Sequence, residues 1–479
     1  MTIKALGFFI FTSIFTASLV YGTENLSEDL AGFGKETSID LAGFGDADDL
    51  LNLDDNVSLD RAEDNNNFDL DGNLAFKTSI GYKKHKVDNV EYSGVNQAQT
   101  SLYLQLDGKL SDDWKIRVSA DAFYDAIYEI RSDQEYQEKV LDDYKTQLRL
   151  DDTYIHGRVG SDIDIKAGRQ IVVWGKSDNI RITDIINPTD NRLPGMTDIE
   201  DLRLSVGMLK LDYYRGQWNF SAMVIPENRI IKEATPNGEF FPIETILDTP
   251  DGITDGFPKL VTPASSWNNM QYAFAANGVF SGWDLSFYAA DVLDQKWHFK
   301  DNLSSGLALS ERTVSTIKML GSAINMAYGS WLLKSEFALL NGVKYNTTSD
   351  DKNRLDILLG LEYMGIKDTV LSCEVANRHL FDYEEQMQFQ SDFVDQDEMQ
   401  TALRVSRSFE NDTIKFTGLA SLFGSSWENG GFTRVWVEYE LGNAMNANLG
   451  LVEYIGGDRP YFEGIKDNDR VFADITYSF

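Results

Sequence analysis

The final nine residues, Val471-Phe472-Ala473-Asp474-Ile475-Thr476-Tyr477-Ser478-Phe479, constrain the fold more than any other stretch. Apolar side chains fall at 471, 473, 475, 477 and 479, with polar Asp474, Thr476 and Ser478 between them. That period of two is the mark of a strand with one apolar and one polar face. Left at the open edge of a soluble sheet, such a strand invites aggregation. In a closed barrel it has two neighbours, and its apolar face can meet lipid. The segment resembles a C-terminal insertion signal of bacterial outer-membrane barrels, with Tyr477 and Phe479 as the residues read by the barrel-insertion machinery.

The same alternation recurs upstream. Segments of alternating polarity lie near 72–82, 97–108, 113–127, 145–157, 162–172, 202–212, 216–225, 270–280 and 283–290. They continue near 314–328, 331–341, 353–365, 369–378, 398–410, 413–424, 431–442, 445–455 and 468–479. Most are near the ~9–11 residues with which a tilted strand crosses a bilayer. Tight turns, such as Gly160-Ser161, Arg215-Gly216 and Ser281-Gly282, alternate with long polar loops such as 226–269 and 291–313. The expectation is an all-β, transmembrane antiparallel β-barrel of about 18 strands, or 16 if one weak pair is discounted, with both termini periplasmic.

Three regions follow: 1–22 as a signal peptide, 23–71 as an acidic periplasmic tail, and 72–479 as the barrel. Lys4 followed by the apolar run Ala5–Val20 and small Gly22 has the layout of a secretory signal. Residues 23–71 hold fifteen acids against Lys35 and Arg61, and Asp29-Leu30-Ala31-Gly32-Phe33-Gly34 repeats as Asp40-Leu41-Ala42-Gly43-Phe44-Gly45. A flexible tail accounts for this composition. The repeat also suits docking on a periplasmic or inner-membrane export partner through Leu30, Phe33, Leu41 and Phe44, or a plug re-entering the barrel. The net charge of −33 argues against nucleic acid, and lone Cys373 excludes an intramolecular disulfide.

Strand periodicity sends one set of charges inward: Lys115, Arg117, Arg149, Asp151, Lys166, Lys334, Glu336, Glu362, Glu374, Arg404, Lys415, Arg434, Glu438 and Asp474. Unpaired ions are costly in a dry interior, so the set predicts a hydrated lumen, although wall-to-wall ion pairs account for any single member. The densest motif is Gly168-Arg169-Gln170-Ile171-Val172-Val173-Trp174-Gly175-Lys176-Ser177-Asp178, followed by Ile185-Ile186-Asn187-Pro188. It opens a loop of about thirty residues. Folded inward, the loop would set Arg169, Lys176, Arg181 and Asp184 against Lys115, Arg117, Glu336, Glu362, Arg404 and Arg434 as a constriction. Folded outward, it would cap the barrel. Both readings stay open.

The Gly-Arg-Gln…Trp-Gly stretch with Asn187-Pro188 resembles a family of porin-like Gram-negative outer-membrane barrels of unassigned function. That resemblance is concentrated in 160–225 and the last strand. It implies cell outer-membrane localisation and an association with export of hydrophobic compounds or lipids, and no catalytic residue or cofactor. Enzymatic signatures fare poorly: there is no Gly-x-Ser-x-Gly, His-Glu-x-x-His or Walker sequence. His85, His298 and His379 are read as loop residues and His156 as ending a strand. Acidic runs such as Asp350-Asp351 are read as solvated charge and not as a metal site. The expected function is a channel passing a small or amphipathic solute, with a non-conducting docking barrel of an export system as the alternative. Oligomerisation is compatible with either.

Overall fold

The computed structural model describes residues 67–479 apart from 88, 242–257, 301–310, 390–391 and 443. The signal peptide, most of the acidic tail and its repeated segments lie outside the described residues. Eighteen antiparallel strands follow one another around a closed sheet. They are β1 (Phe68–Gly81), β2 (Gly94–Lys109), β3 (Trp114–Asp125), β4 (Thr146–Val159), β5 (Ile163–Gln170), β6 (Val206–Arg215), β7 (Trp218–Ile225), β8 (Gln271–Phe280) and β9 (Trp283–Phe299). The circuit continues through β10 (Arg312–Tyr328), β11 (Trp331–Val343), β12 (Lys352–Ile366), β13 (Thr369–Leu380), β14 (Asp397–Phe409), β15 (Ile414–Phe423), β16 (Gly430–Gly442), β17 (Met445–Ile455) and β18 (Arg470–Ser478). Closure is made by β1 on β18, in register from Asn73↔Ser478 to Gly81↔Arg470.

Each expected segment is a strand. β1 starts at Phe68 rather than near 72, and β9 runs to Phe299 rather than stopping near 290. The β9 extension was hidden because a register shift between Leu293 and Trp297 interrupts the alternation. His298 therefore lies in a strand, and His379 too is a strand residue, paired with Leu355 and Asp397 near the end of β13.

Leu102, Leu104 and Leu106 of β2, Leu333, Phe337 and Leu339 of β11, and Ile357, Leu359 and Leu361 of β12 point outward and are exposed. At the turn end, aromatic pairs ring the wall, with Phe280–Trp283 centroids 4.3 Å apart and Trp331–Tyr363 4.4 Å apart. A continuous apolar exterior edged by aromatics is what a bilayer selects. Water would disfavour so large a patch.

The interior departs from the hydrated lumen expected above. Inward positions from β6 to β14 include Met208, Ala273, Ala275, Ala290, Ala338, Leu358 and Ala376, and they form a buried apolar cluster. A second cluster joins Trp436, Val452, Tyr454 and Phe472 of β16–β18 to Phe240 and Phe241. Both exist because loops fold into the barrel and cover the wall.

Candidate functional site

The loop over residues 171–205 enters the lumen where β5 ends, and local backbone chemistry explains the turn. Gly168 has φ +132°, and a Cβ there would lie 2.2 Å from the Thr153 carbonyl oxygen on β4. Gly175 has φ +91°, and a Cβ there would lie 2.7 Å from Glu336 Oε1. Glycine at these two positions lets backbone approach where a side chain would collide. Asn187, fully buried, ties the neck of the loop. Its Oδ1 accepts from Val172 N at 2.8 Å, and its Nδ2 donates to the carbonyls of Gln170 (3.2 Å) and Leu204 (2.9 Å). The Gly-Arg-Gln…Asn-Pro motif is therefore the hinge and stitch of an inserted loop.

Apolar side chains seat the first limb. Val172, Trp174, Ile180, Ile182 and Ile186 are each under 5% exposed and pack on the alanine-rich wall. Trp174 stacks on Tyr288 of β9 with centroids 4.7 Å apart. Burial of such a side chain contributes about 1.5–3 kcal/mol.

Charged wall residues then receive the loop backbone. Glu336 of β11, 2% exposed, accepts from Lys176 N (2.6 Å) and Ser177 N (2.8 Å) on one oxygen. Its other oxygen accepts from Thr183 N (3.1 Å) and Thr183 Oγ1 (2.7 Å). Glu374 of β13 accepts from Asp178 N (2.8 Å) and Asn179 N (3.0 Å). Lys334 lies 2.5 Å from Asp178 Oδ2 and also pairs with Glu362. Lys176 Nζ lies 3.2 Å from Asp284 of β9. Burial holds the Lys176 ammonium well below its ordinary range, at about 8, against the opposing pull of Asp284.

Farther along, the loop crosses to the opposite wall. Asp198 is gripped by Arg404 of β14 at 3.2 Å and Arg434 of β16 at 2.8 Å. Arg434 itself lies 4.1 Å from the Trp436 ring centroid. The Tyr454 hydroxyl of β17 donates to the Pro194 carbonyl at 2.6 Å. The loop thus leaves the wall at β5 and is held at β9, β11, β13, β14, β16 and β17, and also at β4, where Arg192 donates to Gln147 at 2.9 Å. Of the two readings left open, the inward one is observed.

The expected site residues therefore divide. Lys176, Glu336 and Glu362 are buried and anchor the loop to the wall, and buried Asp184 braces it internally, 3.0 Å from Arg181 and 2.8 Å from Arg203. Arg181 bonds to Asp184 at 3.0 Å and to the Asn187 carbonyl at 2.8 Å, within the loop. Arg404 and Arg434 clamp its tip. Arg117 pairs with Asp107 at 2.8 Å on the β2–β3 wall, and Lys115 is exposed at the turn end. Arg169 pairs with Glu227, at the start of the next long loop, at 2.5 Å.

Facing the inserted loop, β2–β5 carry a half-exposed polar strip. Tyr103 donates to Gln105 at 2.9 Å and Gln105 to Asp107 at 2.8 Å. Arg149 sits 2.7 Å from both Asp121 and Asp151. Farther along the loop, near Arg404 and Arg434, burial and the neighbouring Asp198 raise the Asp201 carboxyl above its ordinary range, as burial and Asp201 do for Glu200. Sequence reasoning passed over Asp198, Glu227 and Asp284. Only Asp198 left a local trace, in the acidic run Asp198-Ile199-Glu200-Asp201.

A family model described as a protein of unknown function (DUF1302) matches residues 10–479, and the chain belongs to that family. No curated protein matches it in sequence. Among solved structures it is similar to Acinetobacter baumannii OccAB2 (10% identity, 86% of this chain and 98% of that one, TM-score 0.48). It is also similar to Pseudomonas aeruginosa OccK1 (OpdK) (9% identity, 86% and 98% covered, TM-score 0.48). A third likeness is to Salmonella typhi OmpF, solved with daunomycin (9% identity, 88% and 99% covered, TM-score 0.44). These are resemblances of fold to outer-membrane barrels.

Proposed function

We propose that this chain is an outer-membrane channel of a Gram-negative bacterium, passing a small or amphipathic solute along the polar strip of β2–β5. The observation that carries the reading is the inserted loop. A barrel serving only as a docking platform has no need of a loop clamped across its interior by Glu336, Glu374, Arg404 and Arg434. A fixed loop set against a charged wall is a filter, because opposed charges create a transverse field that orients and selects a solute. On the wall stand Arg117 and Arg149 with their acid partners, and on the loop beside them stand Asp190 and Arg192. No covalent chemistry is required, and no catalytic residue is assigned.

Planar-bilayer recording of the refolded chain, with and without residues 23–71, tests the proposal. Stepwise currents establish a channel. Current only from the truncated chain makes the acidic tail a plug. Silence from both, in folded protein, removes the channel reading and returns the docking alternative.

A further inference from the structure

The barrel wall has a gap in its strand pairing that an axial passage does not require. β4 runs over Thr146–Val159 and pairs with β3 nearly throughout, but with β5 only over Thr153–Val159. β5 stops at Gln170 and β6 begins opposite it at Val206. Above that level, among the described residues, no strand lies beside residues 146–152 of β4. β7 and β8 end lower still, at Ile225 opposite Gln271. At roughly 4.8 Å per strand, the rim thus drops across four strands into a notch on the order of 20 Å wide. Its inner side is closed where Arg192 and Lys232 donate to Gln147 at 2.9 and 2.8 Å.

The notch is edged by apolar side chains on its outer face and by basic ones at its rim. Leu148 and Leu150 of β4 point outward, 82% and 50% exposed. Arg149 stands inside with Arg229 near it, whereas Arg169, next to inward Gln170 and paired with Gly207, lies on the outward side. Arg149 is matched by Asp121 and Asp151 on the wall and by Asp190 of the inserted loop at 3.9 Å. Arg169 reaches across the notch. Its Nη1 donates to the Leu150 carbonyl at 3.4 Å, and its Nε and Nη2 grip the Glu227 carboxylate at 3.1 and 2.5 Å. Glu227 Oε2 also accepts from Gly207 N at 2.6 Å. A carboxylate from the chain thus occupies a two-pronged guanidinium and a backbone donor at the mouth of a lipid-facing opening. This is the geometry in which arginine best recognises a carboxylate or phosphate group.

We infer that this notch is a lateral port for an anionic amphiphile, whose headgroup displaces Glu227 from Arg169 while its chain lies over Leu148 and Leu150 towards the membrane. The Arg169–Glu227 pair is the bar across the port. The inference goes beyond the axial channel and stands whether or not that channel conducts.

The test is binding of a dansyl-labelled undecanoate to the full chain in lipid nanodiscs, each variant first shown to be folded by its resistance to cold SDS. Two substitutions break the same ion pair and are expected to act oppositely. Arg169→Gln removes the receptor and weakens binding about tenfold, whereas Glu227→Gln removes the internal competitor and tightens it about threefold. Arg169→Lys restores part of the affinity, and Leu148→Ser/Leu150→Ser weakens it. Dodecyl phosphate and laurate compete, whereas acetate and inorganic phosphate at equal concentration do not. Movement of Arg169→Gln and Glu227→Gln in the same direction would make the pair merely structural and overturn the port. So would competition by acetate or phosphate equal to that of the long-chain acids. Should Arg169→Gln fail to fold, Glu227→Gln and the leucine variant still decide: binding that neither changes overturns it.

Discussion

Replacing Glu336 with Gln tests how the inserted loop is held. In the wild-type protein the carboxylate, 2% exposed, takes four hydrogen bonds from three loop residues. Gln fits the space but has one acceptor oxygen. With that oxygen towards Lys176 N and Ser177 N, the two bonds survive without their charge, at a cost of about 1 kcal/mol in all. The amide NH2 then faces Thr183 N–H, donor against donor. A buried donor left without an acceptor costs about 1–3 kcal/mol. The Thr183 hydroxyl can rotate and accept, so it adds little. The loop should lose about 3 kcal/mol of local stability, and the free energy of its local opening falls by that amount. Hydrogen exchange of the Lys176, Ser177 and Thr183 amides then speeds up by about two orders of magnitude, since 1.4 kcal/mol is tenfold. Amides in the middle of β11 keep their rates. Loop amides exchanging within threefold of wild type would refute the reasoning, because Glu336 would then be an incidental neighbour.

Arg434→Ala removes one of the two guanidiniums on Asp198, and the reversal potential under a KCl gradient should move towards cation selectivity with noisier current; an unchanged potential would detach Asp198 from the passage. Ala338→Leu places a larger side chain where the wall residue is fully buried against the loop. Overpacking there costs about 1–3 kcal/mol, read as faster exchange of the same loop amides without loss of barrel folding. The third expectation concerns pH. The Lys176 pKa is about 8 in the fold against an ordinary 10.5, so between these values the undocked loop binds more protons than the docked one. Docking therefore tightens as pH rises from about 8 towards 10.5, and the full penalty is present below 8. Maleimide labelling of Ile180→Cys in a Cys373→Ser background, corrected for thiol ionisation, should slow over that range. Lys176→Met should abolish the dependence.

Strand periodicity and alternating turn lengths made the barrel legible, because a one-residue slip would turn every lipid-facing leucine inward. The loop motif was legible in part. Gly168, Gly175 and Asn187 are demanded by local backbone geometry, and their unusual density marked the place. The loop's partners were not legible. Tyr288, Glu336 and Glu374 stand 113 to 196 residues away in sequence, and no local pattern encodes which wall positions meet across a barrel interior. The apolar lumen was missed for a related reason. Leu358 and Ala376 face inward, but a rule that sends apolar residues to lipid and charges to water has no place for a wall covered by its own loop. The inward charges named from the sequence mostly found protein partners, and the clearest are Glu336, Glu374 and Arg434.

The central claim is that the passage operates with the loop docked against the wall. An ideal Cβ on Gly321 of β10 lies 3.1 Å from Thr183 Cγ2 of the loop, a reach suited to a disulfide. Single-channel recording of Thr183→Cys/Gly321→Cys in a Cys373→Ser background, before and after reduction, isolates that claim. The same main conductance is expected in both states, with fewer fluctuations while the bond is closed. A current that disappears on crosslinking and returns on reduction would show that the conducting state needs the loop elsewhere, and would contradict it.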